Sequence, residues 1–277
     1  MIVSIASGKG GTGKTTVAVN LARTLQNIVL LDCDVEEPNC HVFLNPEKVA
    51  QERVSVSVPN VDLDKCVYCG KCASFCRYNA LAVSKDVLMF FPELCHGCGG
   101  CGIVCPVEAI SEAGREIGVI KKSLVDGIDF RWGVLDIGQA QASPLIKKVR
   151  DVESAGKDVL VDAPPGTSCA TISAVEGSDY CILVTEPTPF GLNDLKLAVE
   201  MLKTMGIPHG VVMNKDGVGN SGVDDYCSEE GIPIILRIPH SRKIARLYSD
   251  GKSFTDDSPA FREKFRIMFE DVRRQVE

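Results

Sequence analysis

Ser7-Gly8-Lys9-Gly10-Gly11-Thr12-Gly13-Lys14-Thr15-Thr16 sits between an apolar run, Ile2-Val3-Ser4-Ile5-Ala6, and a stretch from Thr16 to Leu25 with Val17, Leu21 and Leu25 four apart. The first run predicts a buried strand and the second a helix. From Gly8 to Thr15 the chain fits Gly-x4-Gly-Lys-Ser/Thr, and strand, glycine-rich turn and helix are the setting in which that pattern binds phosphate. Gly8, Gly10, Gly11, Thr12 and Gly13 let backbone N–H groups turn inward around an anion, and the helix start adds its positive dipole end. Lys14 is placed to reach the β/γ-phosphates and Thr15 to hold Mg²⁺. Thr16 completes the nucleotide-contacting set. A glycine-rich turn that binds nothing is the competing reading, and these flanks argue against it.

Working outward, Asn27 to Leu31 reads as a second apolar strand that runs into Asp32-Cys33-Asp34. Carboxylates at the end of a parallel strand beside a phosphate loop lie where open α/β sheets bind ligands. Asp158 to Asp162 reads as a core strand ending in a carboxylate, the Walker B pattern, and runs into Ala163-Pro164-Pro165-Gly166-Thr167. Strands are also expected at Tyr180–Val184, His209–Met213 and Pro233–Ile238, with a helix at 193–205. Gly217 stands where a guanine reader of Asn-Lys-x-Asp type needs Asp, which disfavours GTP. The Asn214 amide suits the donor/acceptor edge of adenine.

The general phosphate pattern does not require Lys9. With it, Lys-Gly-Gly-Thr-Gly-Lys-Thr-Thr resembles the deviant Walker A motif of the MinD/ParA/Mrp ATPases and the nitrogenase iron protein. Asp32-x-Asp34 resembles their switch I, and Asp162-x-Pro164-Pro165-Gly166-Thr167 the switch II of the Mrp branch. The resemblance covers nearly the whole chain. It implies an α/β fold, a mostly parallel doubly wound sheet with the first strand central. It implies ATP/ADP and Mg²⁺ as cofactors, and a homodimer on ATP binding in which Lys9 crosses to the partner's nucleotide. The catalytic set would be Lys9, Lys14 and Asp34, with Asp34 positioning the attacking water. Asp32 and Asp162 would support Mg²⁺ through water beside Thr15. Pro165 and Gly166 would form switch II, the Gly166 N–H directed at the γ-phosphate. Asn214 would contact adenine, and Pro239, with His240 and Ser241, would close over the base.

Eight of the thirteen cysteines fall in one stretch. Cys66-x2-Cys69-x2-Cys72-x3-Cys76 is followed by Cys95-x2-Cys98-x2-Cys101-x3-Cys105-Pro106, an offset of 29 residues, and Ala80-Leu81 and Ala109-Ile110 repeat after each run. This is the two-cluster pattern of bacterial ferredoxins, in which the fourth cysteine of each run ligates the other cluster. One 4Fe–4S cluster would take Cys66, Cys69, Cys72 and Cys105, the other Cys76, Cys95, Cys98 and Cys101. Zinc is the competing reading, but its sites use paired hooks separated by a long spacer. Gly70, Gly97, Gly99, Gly100 and Gly102 leave room around the sulfurs. Arg77 replaces the proline the pattern usually has after its fourth cysteine. The insert is expected to span 60–113, with short strands near Leu81 and 88–90, between two pieces of ATPase domain at 1–59 and 114–277.

Composition is that of an ordinary soluble globular chain, 45% apolar and 24% charged. No apolar run is long enough to span a bilayer, and no signal peptide precedes the first strand, so a cytoplasmic protein, of an anaerobic prokaryote, is expected. A net charge of −7 disfavours nonspecific nucleic-acid binding. The last helix, 259–276, carries Phe261, Phe265, Met268, Phe269 and Val272 on one face; a core-facing stripe is expected over a membrane anchor. Three functions fit. The first is an ATPase switch that couples nucleotide state to electron transfer toward an unidentified redox partner. The second is an Mrp-type cluster-assembly factor serving an apo-metalloprotein. The third is a MinD-like positioning or scaffold ATPase with a redox sensor.

Overall fold

The structure, a computed structural model, describes residues 1–154 and 156–276. The phosphate-binding stretch joins β1 (Ile2–Ala6) to α1 (Lys14–Leu25), and β2 (Val29–Asp32) and α2 (Cys40–Leu44) follow. The helix starts two residues earlier than the apolar spacing predicts, because Gly13 turns the chain at φ 98° and α1 begins at once. The second strand starts two residues late, since Gln26 and Asn27 both have positive φ.

Next comes a segment the sequence reveals only in part: 117–120 and 133–135 are strand-like, and 50–61 gives no strand signal. β3 (Ala50–Val61) pairs antiparallel along its length with β6 (Ile110–Val125), and β6 pairs antiparallel with β7 (Ile128–Leu135). Asp126-Gly127, both at positive φ, close the β6–β7 hairpin, as the Asp-Gly signal demands. Between β3 and β6 lie α3 (Lys71–Phe75), the hairpin of β4 (Leu81–Ser84) and β5 (Val87–Phe90), and α4 (Gly100–Ile103).

The rest of the chain alternates. It runs α5 (Ser143–Arg150), β8 (Val159–Asp162), α6 (Cys169–Val175), β9 (Tyr180–Thr185), α7 (Pro189–Met205), β10 (His209–Asp216), α8 (Gly222–Glu229) and β11 (Ile234–Pro239). The helices α9 (Arg242–Ser249), α10 (Phe254–Asp257) and α11 (Pro259–Val276) close it. α7 starts four residues before the expected Asn193, because the Thr188 hydroxyl caps it by accepting from Gly191 N at 3.0 Å.

One nine-stranded sheet runs β11-β10-β9-β1-β8-β2-β7-β6-β3, parallel from β11 to β7. Both faces are covered, so its central strands read as continuous apolar runs. Val3 and Ile5 of β1 enter a core completed by α1 and α11; Ala6 enters the opposite core, completed by α5, α6, α7 and α8. Phe265, Met268, Phe269 and Val272 are buried in the first core, so the apolar stripe of α11 faces inward.

The register places the insert. Gly118 of β6 pairs with Leu135, the last residue of β7. Residues 110–117 therefore run past the C-terminal edge of the sheet, the edge that carries the phosphate loop. With β3 they form a two-stranded ribbon about 25 Å long at ~3.4 Å per residue. A bulge between Val54 and Ser55, opposite Ile117, marks its exit from the sheet. Residues 62–109 thus connect the two strands at the ribbon tip, where Val61 pairs with Ile110, with α2 and β3 between them and Asp34.

Candidate nucleotide site and cysteine cavities

The loop after β1 is braced from two sides. A Cβ on Gly8 would lie 2.0 Å from the Asp194 carbonyl oxygen of α7, and one on Gly13 would lie 2.3 Å from Asn214 Nδ2. Only glycine allows both approaches. Asn214 Nδ2 donates to the Thr12 carbonyl at 2.7 Å, and its Oδ1 accepts from Lys215 N at 2.9 Å. The residue expected on adenine is thus also a strut of the loop, with one N–H and one lone pair left over. Pro239 is exposed at the end of β11, in register with Asp216. The Ser7 hydroxyl donates to the Lys9 carbonyl at 2.6 Å. The Lys9 side chain is half-buried and forms no ion pair among the described residues.

Three carboxylates face Lys14. Asp32 and Asp162 end adjacent strands in direct register and are fully buried. Asp34 is half-buried one turn of loop further on. Lys14 is itself 6% exposed; burial lowers its pKa against the pull of Asp162, Asp34 and Asp32. Burial pushes the Asp32 carboxyl well up, and the charge of Asp162 adds to it. Asp162 is raised by burial too, opposed by the Thr15 hydroxyl and Lys14. Asp34 is pushed up to about 6, by burial first and the charge of Asp162 second.

The polar bonding around these groups is uneven. Asp32 Oδ2 accepts from the backbone N–H groups of Asn39 and Cys40 at 2.9 Å, and Oδ1 from that of Asp34 at 3.2 Å. The Cys40 thiol donates to Asp162 Oδ2 at 3.4 Å. Asp162 Oδ1 and Thr12 Oγ1 are buried with no partner. A buried carboxylate oxygen left unpaired is costly unless something electropositive meets it. Beside Thr15 and Lys14, that is the donor set for a hydrated Mg²⁺ on a nucleotide. Gly166, expected to direct its N–H at a γ-phosphate, donates instead to the Ser7 carbonyl at 3.0 Å. With that hydrogen bond in place the Gly166 N–H is not free for a phosphate.

In the insert, Cys66, Cys69, Cys72 and Cys105 line one cavity and Cys76, Cys95, Cys98 and Cys101 line another. These are the two crossed sets that the spacing predicts. Ala80 N donates to Cys76 Sγ at 3.4 Å and Ala109 N to Cys105 Sγ at 3.2 Å, so the repeated Ala-Leu and Ala-Ile follow each fourth cysteine for the same reason. Four sulfurs on one Zn²⁺ would stand about 3.8 Å apart. Among the described residues, no three cysteine sulfurs lie within 4.8 Å of one another. The walls differ: Tyr78 stacks on His96, ring centroids 3.5 Å apart, beside the second cavity, whereas Val67, Val83, Leu88, Pro106 and Val107 wall the first.

Sequence reading missed two groups. Cys40 gave no signal, because it reaches Asp162 only through the packing of β2 against β8. Arg53 was also missed. Its guanidinium bonds Glu116 at 2.8 Å and Asp136 at 2.7 Å, where the ribbon leaves the sheet.

A mostly parallel sheet with a phosphate loop at the end of a central strand, and buried carboxylates at the ends of β8 beside it and β2 one strand further, defines a P-loop nucleotide-binding protein. More narrowly, the chain belongs to the CobQ/CobB/MinD/ParA nucleotide-binding domain family, which matches residues 3–254. It is 31% identical to an uncharacterized protein of Methanocaldococcus jannaschii, over 100% of this chain and 95% of that one. It is 27% identical to an iron-sulfur cluster carrier protein of Pyrococcus abyssi, over 90% of this chain and 76% of that one. The septum site-determining protein MinD of Pyrococcus horikoshii, solved with Mg-ADP, superposes with a TM-score of 0.58 at 20% identity, covering 98% of this chain and 95% of that one. That last likeness speaks to the fold alone. Among the described residues no helix is long and apolar enough to cross a membrane.

Proposed function

We propose that the chain is an ATP-hydrolysing, dimeric switch that carries two 4Fe–4S clusters and couples its nucleotide state to electron transfer toward a partner protein. In this reading residues 1–59 and 114–277 form the ATPase body and 60–113 a ferredoxin-like insert. The observation that carries it is the sorting of eight cysteines into two cavities by the crossed pattern, on the same sheet edge as the phosphate loop. Cys66, Cys69, Cys72 and Cys105 would hold one cluster, and Cys76, Cys95, Cys98 and Cys101 the other. The clusters supply reversible one-electron chemistry when bound.

The chain's own residues do the rest. Lys14 and the loop N–H groups hold the phosphates, and Thr15, Asp32 and Asp162 hold the Mg²⁺ water shell. Asp34 orients the attacking water, and Lys9 reaches a partner's nucleotide. A continuous set of contacts runs from switch I to the ribbon. Leu135 N donates to the Val35 carbonyl at 2.8 Å, Asp136 N donates to Ile117 O at 2.9 Å, and the Asp136 carboxylate takes Arg53 of β3. A change at Asp34 therefore acts on the base of the ribbon.

An anaerobic redox titration followed by EPR tests this, with no nucleotide, with ADP and with a non-hydrolysable ATP analogue. Coupling of about 1–3 kcal/mol between two sites displaces a one-electron potential by about 40–130 mV. Equal potentials in all three states would remove the coupling. The similarity to the Pyrococcus abyssi iron-sulfur cluster carrier favours a second reading, an ATPase that delivers clusters to apo-proteins. Loss of iron to an apo-protein acceptor on ATP hydrolysis would select it.

A further inference from the structure

The nucleotide pocket holds a donor that magnesium has no use for. Mg²⁺ takes oxygen ligands and keeps several waters, yet a thiol lies among its carboxylates. Ligand atoms of Asp32, Cys40 and Asp162 all lie within 4.8 Å of one another, and all three residues are buried. Thiolate sulfur selects softer ions such as Zn²⁺ and Fe²⁺.

We propose that Asp32, Cys40 and Asp162 form a second metal site, for a thiophilic divalent cation of the Zn²⁺/Fe²⁺ class, whose occupancy excludes Mg²⁺-nucleotide. The proposal rests on reading Asp32 and Asp162 as the supports of the Mg²⁺ shell.

The donors are held in place. Cys40 opens α2, and its N–H is tied to Asp32 Oδ2 at 2.9 Å, which fixes the start of the helix beside the carboxylate. Asp162 is 1% exposed, and its Oδ1 has no partner, so it has a free acceptor to offer an ion. Asp32 keeps a lone pair on Oδ1. Sulfur and oxygen ligands around a tetrahedral Zn²⁺ stand about 3.5 Å apart, so a small contraction closes the site. Two carboxylates, one thiolate, one dication and the Lys14 ammonium sum to zero, which leaves the half-buried Asp34 as the remaining charge beside Lys14. On binding, the S–H bond breaks, a metal–sulfur bond forms, and the proton leaves to solvent. Burial holds that proton on Cys40 until the ion arrives. An ion bound directly by Asp32 and Asp162 takes the carboxylates that the hydrated Mg²⁺ needs, so the two cannot coexist.

The test uses the full chain, purified anaerobically with its clusters, and ¹¹³Cd²⁺ as the probe. One equivalent per chain should give a ¹¹³Cd NMR signal in the range of a site with one sulfur and several oxygens, with the cluster absorption unchanged. Mg-ADP should chase it. Cys40→Ser should weaken Cd²⁺ and Zn²⁺ binding at least about tenfold, with an unchanged circular-dichroism spectrum and cluster absorption reporting that the variant is folded. A signal typical of oxygen ligands alone in the unaltered protein overturns the proposal. So does equal Cd²⁺ affinity in Cys40→Ser, or simultaneous binding of Cd²⁺ and Mg-ADP. If the unaltered protein binds no Mg-ADP, the nucleotide reading fails, and the Cd²⁺ spectrum still decides the metal site.

Discussion

Lys9 and Lys14 share one loop and sit in different surroundings. Lys14 is buried among carboxylates, and its ammonium is compensated within its own chain. Lys9 is half-buried and has no ion pair among the described residues, which suits a group that waits for a second subunit. Lys9→Ala is expected to keep ATP binding by the monomer and lose ATP-dependent dimerisation, read by sedimentation. Asp34→Ala is expected to bind ATP, hydrolyse it at least about a hundredfold more slowly, since it loses the group that orients water, and accumulate as the ATP-bound dimer. A protein that stays monomeric with ATP, with both variants like the parent, contradicts this assignment.

Among the elements, the β3–β6 ribbon decides how the insert relates to the site. Its pairing runs from Ala50–Lys122 to Val61–Ile110 with one bulge after Val54, and Val54, Ile117 and Ile120 anchor its base in the core. The cavities lie beyond that anchor, so losing a ligand there should spare the ATPase body. About eight irons per chain are expected after anaerobic purification. Cys66→Ser should halve that number and leave Mg-ADP binding unchanged, as read by iron assay and calorimetry. Stoichiometric zinc without broad visible absorption would overturn the cluster reading.

For the molecule as a whole, the question is whether a domain at the ribbon tip responds to a nucleotide several strands away. Arg53 is the test, because it clamps β3 to both Glu116 and Asp136. These pairs are solvent-exposed, where ion pairs add little to stability, and Arg53→Ala should fold normally. The expected outcome is that the potential difference between nucleotide states shrinks to less than half while each state's own potential stays measurable. An unchanged difference would place the coupling elsewhere.

Local pattern was enough for the phosphate loop, the two strand-end carboxylates, the cysteine repeat and α11. Each of these declares its chemistry within about ten residues, through a spacing that backbone geometry imposes. The same local logic also contained the Asp126-Gly127 turn, which went unread. Three things were beyond it. The alternation of β3 is weak because its first four residues are all exposed, so its pairing with β6 rests on contacts 49 to 72 residues away in sequence. The Asn214 strut joins residues 202 apart, and the Cys40–Asp162 contact joins residues 122 apart. Sequence alone determined which chemical groups this protein owns and in what order. Only the tertiary structure decided which of them meet, because strand order brings together side chains that no local spacing relates.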